Sequence, residues 1–145
     1  MYNLERRLRL YFNSTSSIGL INSQNEEIEK NNLAILEEIK KTKELYNFNP
    51  NSFSSYIFSL EKEFFKNKKK IFKNIIKIKN IEFNNFKINS ILNKLTENER
   101  AFLILRYKEN KSMTYIATTF FYTSTSNAYR KKETILNKVS TLLYF

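Results

Sequence analysis

An all-α fold is what this sequence predicts, and three observations carry the prediction. One Gly and one Pro in 145 residues leave too few turn formers for an all-β chain, which needs one about every ten residues. Apolar residues recur at spacings of three, four and seven over most of the length, the period of helices with one buried face. The length is about that of one domain of roughly 150 residues. It leaves room for a helical N-terminal region, residues 1–94, followed by a small C-terminal module, residues 95–145.

The first twelve residues place Leu4, Leu8 and Tyr11 on one stripe of a short helix. NSTSSIG, residues 13–19, reads as a linker or loop, because Ser, Thr and Asn side chains compete with the helical backbone for hydrogen bonds. A second helix is expected over 24–46, with Ile28, Ile35, Ile39 and Leu45 roughly in phase. Residues 47–55 form the expected break, since Pro50 fixes its own φ and pushes Asn49 out of the helical region. A third helix, 56–81, turns Ile57, Leu60, Phe64, Ile71, Ile75 and Ile78 inward. Its other face holds Lys62, Lys66, Lys68, Lys69, Lys70, Lys73, Lys77 and Lys79. Residues 80–93 are rich in Asn yet hold Phe83, Phe86, Ile88 and Ile91, and read either as a broken helix or as a connector.

Composition removes whole classes of function. With no Cys and no His there are no disulfides, zinc fingers, thiol nucleophiles or imidazole bases. The acidic residues are scattered without a partner for acid–base work, so the expectation is a non-enzymatic chain with no cofactor and no metal. A charged N-terminus and short apolar runs argue against a secretory leader and a membrane span, which makes the cytoplasm the expected compartment. The formal charge of +11 points to a polyanionic partner. Residues 1–59 carry seven Lys/Arg against seven Asp/Glu, residues 60–94 ten against three, and residues 95–145 eight against four. AT-rich coding inflates Lys on its own, and the lysine face of 62–79 fits a phosphate backbone, an anionic membrane surface or plain solvation. The same coding bias disfavours Arg, so Arg6, Arg7, Arg9, Arg100, Arg106 and Arg130 each ask for a reason.

Residues 95–143 carry the functional signal. Thr96 and Glu99 are spaced as a capping box, so a helix starts there, buries Phe102, Leu103 and Leu105, and stops near Glu109 to Lys111. Ser112 caps a short helix, 113–120, with Ile116, Ala117 and Phe120 on its apolar face. After a turn of about three residues, Thr123 or Ser124 caps a last helix that extends to Leu143. At about 100° per residue its inner side gathers Ala128, Ile135, Leu136, Val139, Leu142 and Leu143. The outer side shows Ser126, Asn127, Arg130, Thr134 and Asn137, flanked by Lys131 and Lys138, while Lys132 lies near the apolar side and snorkels. Arg can donate two bonds to guanine, Asn can pair both ways with adenine, and Lys neutralises phosphates. This is the chemistry of a helix-turn-helix on duplex DNA. Tyr129 on the same helix and Ser112 before the short one complete the expected contact set.

The pattern resembles the helix-turn-helix of sigma factor region 4, through Leu95, Glu99, Arg100, Arg106, Tyr107, Ser112, Ile116 and Ala117. Within that superfamily Ala128-Tyr129-Arg130, the basic pair that follows and Leu136 look most like small phage transcriptional regulators of the RinA and ArpU type. Glu5, Leu8 and Tyr11 are similar to the Glu-x-x-Leu-x-x-Tyr opening of many of these. Phe121 stands where the family has Gly in the turn. The resemblance covers the last third of the chain and, loosely, the first twelve residues. It implies a phage-encoded regulator of late, packaging or lysis gene promoters that binds double-stranded DNA, contacts RNA polymerase and forms a homo-oligomer, such as a dimer. Two other readings stay open: a helical protein-interaction factor such as a sigma-like RNA polymerase adaptor, and a DNA packaging protein resembling a terminase small subunit.

Overall fold

The computed structural model describes residues 2–47 and 53–144, and every regular element among them is helical. In chain order these are α1 (Tyr2–Phe12), α2 (Ser14–Tyr46), α3 (Ser54–Leu92), α4 (Glu97–Leu103), α5 (Met113–Ile116) and α6 (Thr125–Tyr144). A wider π turn prolongs α4 over Ile104–Lys108, and another prolongs α5 over Ala117–Phe121. Among the described residues no helix is long and apolar enough to cross a membrane.

Two expectations change. The tract 13–19 is not a linker: only Asn13 forms a turn, and α2 starts at Ser14. The Asn13 N–H donates to the Arg9 carbonyl at 3.0 Å, and the Ser17 N–H to the Asn13 carbonyl at 3.1 Å. Ser and Thr disfavour helix by only about half a kcal/mol each, which neighbouring backbone bonds and the burial of Ser14 override. Residues 80–93 are neither broken nor a connector, since α3 continues without interruption to Leu92. The expected break around Pro50 lies outside the described residues.

Packing divides the chain into two compact units, Ile18–Lys79 and Met1–Ser17 with Asn80–Phe145. Within Ile18–Lys79, α2 and α3 pair antiparallel. The Asn74 amide donates to Asn25 Oδ1 at 2.8 Å, the Asn67 amide to Asn32 Oδ1 at 2.9 Å, and Lys43 approaches Glu61 at 3.7 Å. Numbers that rise on one helix fall on the other. The inward residues follow a heptad on both helices: Ile18, Ile21, Asn25, Ile28, Asn32, Ile35, Ile39 and Thr42 face Ile57, Leu60, Phe64, Asn67, Ile71, Asn74 and Ile78. This alternation of three and four is a coiled-coil seam. Its register is enforced by polarity, because a slip of one heptad keeps one Asn pair and strands two buried amides. Each stranded group would cost roughly 1–3 kcal/mol. Leu45 and Ile75, expected inside, fall outside the seam and are exposed, because a 3.5-residue period drifts away from a looser three-or-four pattern.

The second unit has one core. α1 contributes Leu4 and Leu8, the end of α3 Ile88 and Ile91, α4 with its prolongation Phe102, Leu103 and Tyr107, α5 with its prolongation Met113, Ile116 and Ala117, and α6 Ala128, Ile135, Leu136 and Val139. The prolonged α4 and α5 end alike, on a residue in the left-handed region followed by an amide that reaches back over the wide turn. Asn110 has φ 56° and Tyr122 φ 51°. The Lys111 N–H donates to the Leu105 carbonyl, and the Thr123 N–H to the Ala117 carbonyl, both at 2.9 Å. Asn tolerates this conformation, whereas an aromatic residue is strained in it. Phe121 needs no glycine conformation, as it sits in the wide turn with its ring stacked 5.6 Å from that of Phe102. The strained position is one residue later. Because Tyr122 is 83% exposed, Tyr122→Gly removes the strain and sacrifices little packing. The variant is expected to gain up to about 1 kcal/mol of stability, read as a higher urea midpoint; an unchanged or lower midpoint would contradict the strain.

Candidate nucleic-acid interface

The site is built from helix ends. Ser124 Oγ accepts the Asn127 N–H at 3.2 Å, so Ser124 caps α6, while the Thr123 hydroxyl accepts from the Asn127 amide at 3.2 Å. Ser112 Oγ accepts the Tyr115 N–H at 3.1 Å and caps α5. At α4 both arms of the capping box form: the Glu99 N–H donates to Thr96 Oγ1 at 3.2 Å, and the Thr96 N–H to Glu99 Oε1 at 2.9 Å. These side chains satisfy amides that the first turn of a helix leaves without partners.

α6 divides as its wheel predicts. Ala128, Ile135, Leu136 and Val139 are buried and Leu142 and Leu143 half-buried, whereas Ser126, Asn127, Tyr129, Arg130, Lys131, Thr134, Asn137 and Lys138 are exposed, as is Ser112. Exposure alone does not make these groups equivalent. The Thr134 hydroxyl donates to the Arg130 carbonyl at 3.1 Å. The Lys131 ammonium lies 5.0 Å from the Phe121 ring centroid, and that of Lys132 lies 5.5 Å from the Tyr129 ring. Lys138 is already paired, its ammonium 2.8 Å from Glu99 Oε1. Arg130, Lys131 and Thr134 line a shallow groove with Phe121 and Ile135.

The arginines separate into two groups. Arg7 Nε donates to Asn84 Oδ1 at 2.9 Å, and the Arg9 guanidinium lies 5.3 Å over the buried Tyr107 ring. Arg100 donates to the Leu92 and Leu95 carbonyls at 3.2 and 3.1 Å, and Arg106 to the Lys111 carbonyl at 2.9 Å. Four arginines therefore hold the fold. Among the described residues only Arg6 and Arg130 present a guanidinium with no intramolecular partner.

Sequence reasoning missed the ties that orient α6. Lys132 does not merely snorkel: its ammonium sits 2.8 Å from Glu5 Oε1 on α1. Burial drives the Glu5 carboxyl upward, but the hydrogen bond and charge of Lys132, with the Tyr107 hydroxyl and Arg9 beside it, outweigh this and hold it below its usual range. Burial, then the Glu5 charge, raises the Tyr107 phenol well above its ordinary value, so it stays neutral. Its hydroxyl faces Glu5 without meeting strict hydrogen-bond geometry. Glu99 is also lowered, first by Lys138 and then by the Thr96 amide. Partners so distant in sequence leave no periodic signal.

The chain matches no protein-family model, and comparison with curated proteins and with solved structures returns no match.

Both carboxyls titrate lower in the folded chain than in the unfolded one, so the stability they confer is present above the unfolded value of about 4.5 and is lost as pH falls through the folded values. Glu5→Gln is expected to lower the thermal midpoint around pH 7 and to flatten the acid limb, its deficit shrinking around pH 3. Parallel melting curves for the two proteins across that range would remove Glu5 as a titrating anchor.

Proposed function

We propose that this chain is a sequence-specific DNA-binding transcriptional regulator of phage type, in which α5, the turn at Tyr122 and α6 act as a sigma region 4-like helix-turn-helix. The observation that carries the reading is Arg130: an unpaired guanidinium on the outer face of the second turn of α6, one turn beyond the exposed Ser126 and Asn127. In such motifs the N-terminal turns of the second helix enter the major groove. Arg130 then donates two bonds to guanine O6 and N7, and the Asn127 amide meets adenine. Lys131, Tyr129 and the cap hydroxyl of Ser112 fall to the phosphates beside the groove, with Thr134 and Asn137 further along. Lys138, held by Glu99, steadies α6 rather than adding a free charge.

The surplus of positive charge supports a polyanionic partner, and the exposed Lys66, Lys69, Lys70 and Lys73 lie together on α3. Action at late, packaging or lysis promoters, and contact with RNA polymerase, follow from the family resemblance alone.

The test starts from an operator selected out of a random duplex pool. Arg130→Ala is expected to lose roughly 1–3 kcal/mol, about 5- to 150-fold, on that operator and little on unrelated duplex. Failure of the pool to enrich any sequence, or full operator affinity in the variant, would sink the reading. Replacing Lys69, Lys70 and Lys73 by Gln should instead weaken all duplexes alike and shrink the slope of log affinity against log salt by about one for each phosphate no longer neutralised. An unchanged slope returns those lysines to simple solvation.

A further inference from the structure

The seam of the α2–α3 hairpin leaves a second apolar face uncovered. On one flank Leu33, Leu36, Phe58, Phe65, Phe72 and Ile75 are between 44% and 67% exposed. Leu33 and Leu36 line a groove between the two helices with Glu29 from α2 and with Lys68 and Ile71 from α3, and Phe58, Phe65, Phe72 and Ile75 stand at the heptad positions of α3 on the side of Lys68. The Lys43–Glu61 pair lies along the same edge. With aromatic side chains offering roughly 200 Å² each, the uncovered area is roughly 700 Å². This exceeds the roughly 300–600 Å² of the largest patch on a typical monomer and approaches the roughly 800 Å² per partner of a standard interface.

The charges on this flank say what covers it. Along α2 the outward residues at alternating spacings of three and four are Glu26, Glu29, Leu33, Leu36, Lys40 and Lys43. The stripe reads acidic, apolar, basic. Turned end for end about its midpoint it becomes its own complement: Glu26 meets Lys43, Glu29 meets Lys40 and Leu33 meets Leu36. The hairpin register, which sets Asn25 against Asn74 and Asn32 against Asn67, puts that midpoint level with residues 64–65 of α3. About that level Glu61 is equivalent to Lys68, an opposite-charge pair, and Phe65 falls beside the axis, opposite its own copy. A surface complementary to itself under a two-fold rotation is the requirement for an isologous dimer. We infer that this face binds a second copy of the chain, hairpin on hairpin, as an antiparallel four-helix bundle whose two-fold axis passes between Leu33 and Leu36. The inference is independent of the DNA-binding reading and uses residues of the Ile18–Lys79 unit only.

Sedimentation of the full-length chain tests it. The wild type is expected at twice its 17.4 kDa. Glu29→Lys and Lys40→Glu, both at exposed positions outside the seam, each place like charges opposite one another twice per dimer. Each alone should weaken self-association by about tenfold or more. Mixed in equal amounts, the two variants restore opposite charges at both places and should form a heterodimer about as tight as the wild type. Retained helicity by circular dichroism confirms that neither substitution unfolds the hairpin. A monomeric wild type up to roughly 100 μM, where an interface of this size is populated, would overturn the inference. So would variants that self-associate undiminished, or a mixture no tighter than its components.

Discussion

What α6 presents to solvent is set by what it buries. Its stripe of Ala128, Ile135, Leu136 and Val139 enters a core shared with α1, α3, α4 and α5, and a helix has one rotation about its axis that buries such a stripe. Turning it by one residue, about 100°, would expose Leu136 and press charged side chains into the core, a desolvation penalty of several kcal/mol for any unpaired ion. Two ion pairs fix the same rotation from the flanks, Lys132 to Glu5 on α1 and Lys138 to Glu99 on α4. Neither pair is worth much alone when partly exposed. Their value is geometric, since they hold α6 to two different helices and leave Arg130 exposed and unpaired.

The residues that carry the family resemblance divide along the same line. Arg100, Arg106 and Tyr107 are structural: the two arginines close carbonyls at helix ends, and Tyr107 is a buried ring under Arg9. Ser112 and Glu99 are caps. Under the proposed function, specific contact would fall to the exposed side chains on the outer face of α6.

Much of the second unit was legible because its signals are local. The capping box at Thr96, the cap at Ser112 and the stripe of α6 each depend on residues within a few turns, and each forms as the sequence implies. The hairpin was harder to read. Its seam is built from Asn25, Asn32, Asn67, Asn74 and Thr42 as well as isoleucines, so a search for apolar period passes over the positions that set the register. It also draws Leu45 and Ile75 inward, because nothing local distinguishes an apolar residue in the seam from one on a second exposed face. The Ser-rich tract at 13–19 misled for the opposite reason: weak local preferences there oppose a helix that its neighbours impose. The free state of Arg130 against the bound state of four other arginines is tertiary information and has no trace in spacing.

The polar seam and the uncovered flank belong to one design problem. An Asn pair inside a coiled coil weakens it in exchange for register, and a two-helix hairpin weakened twice has little stability in reserve. Covering the Leu33–Phe72 flank with a second hairpin would supply apolar burial that the seam lacks, and the register fixed by Asn25 and Asn32 brings Phe65 level with the midpoint of the α2 stripe, so that Glu61 and Lys68 match in reverse about the same axis as the charges of α2. Paired copies of the chain carry two α6 helices related by the same two-fold axis, whatever the placement of the units. If both proposals hold, a symmetric reader demands a symmetric text: the selected operator consists of two inverted half-sites, whereas a monomer would select a single one.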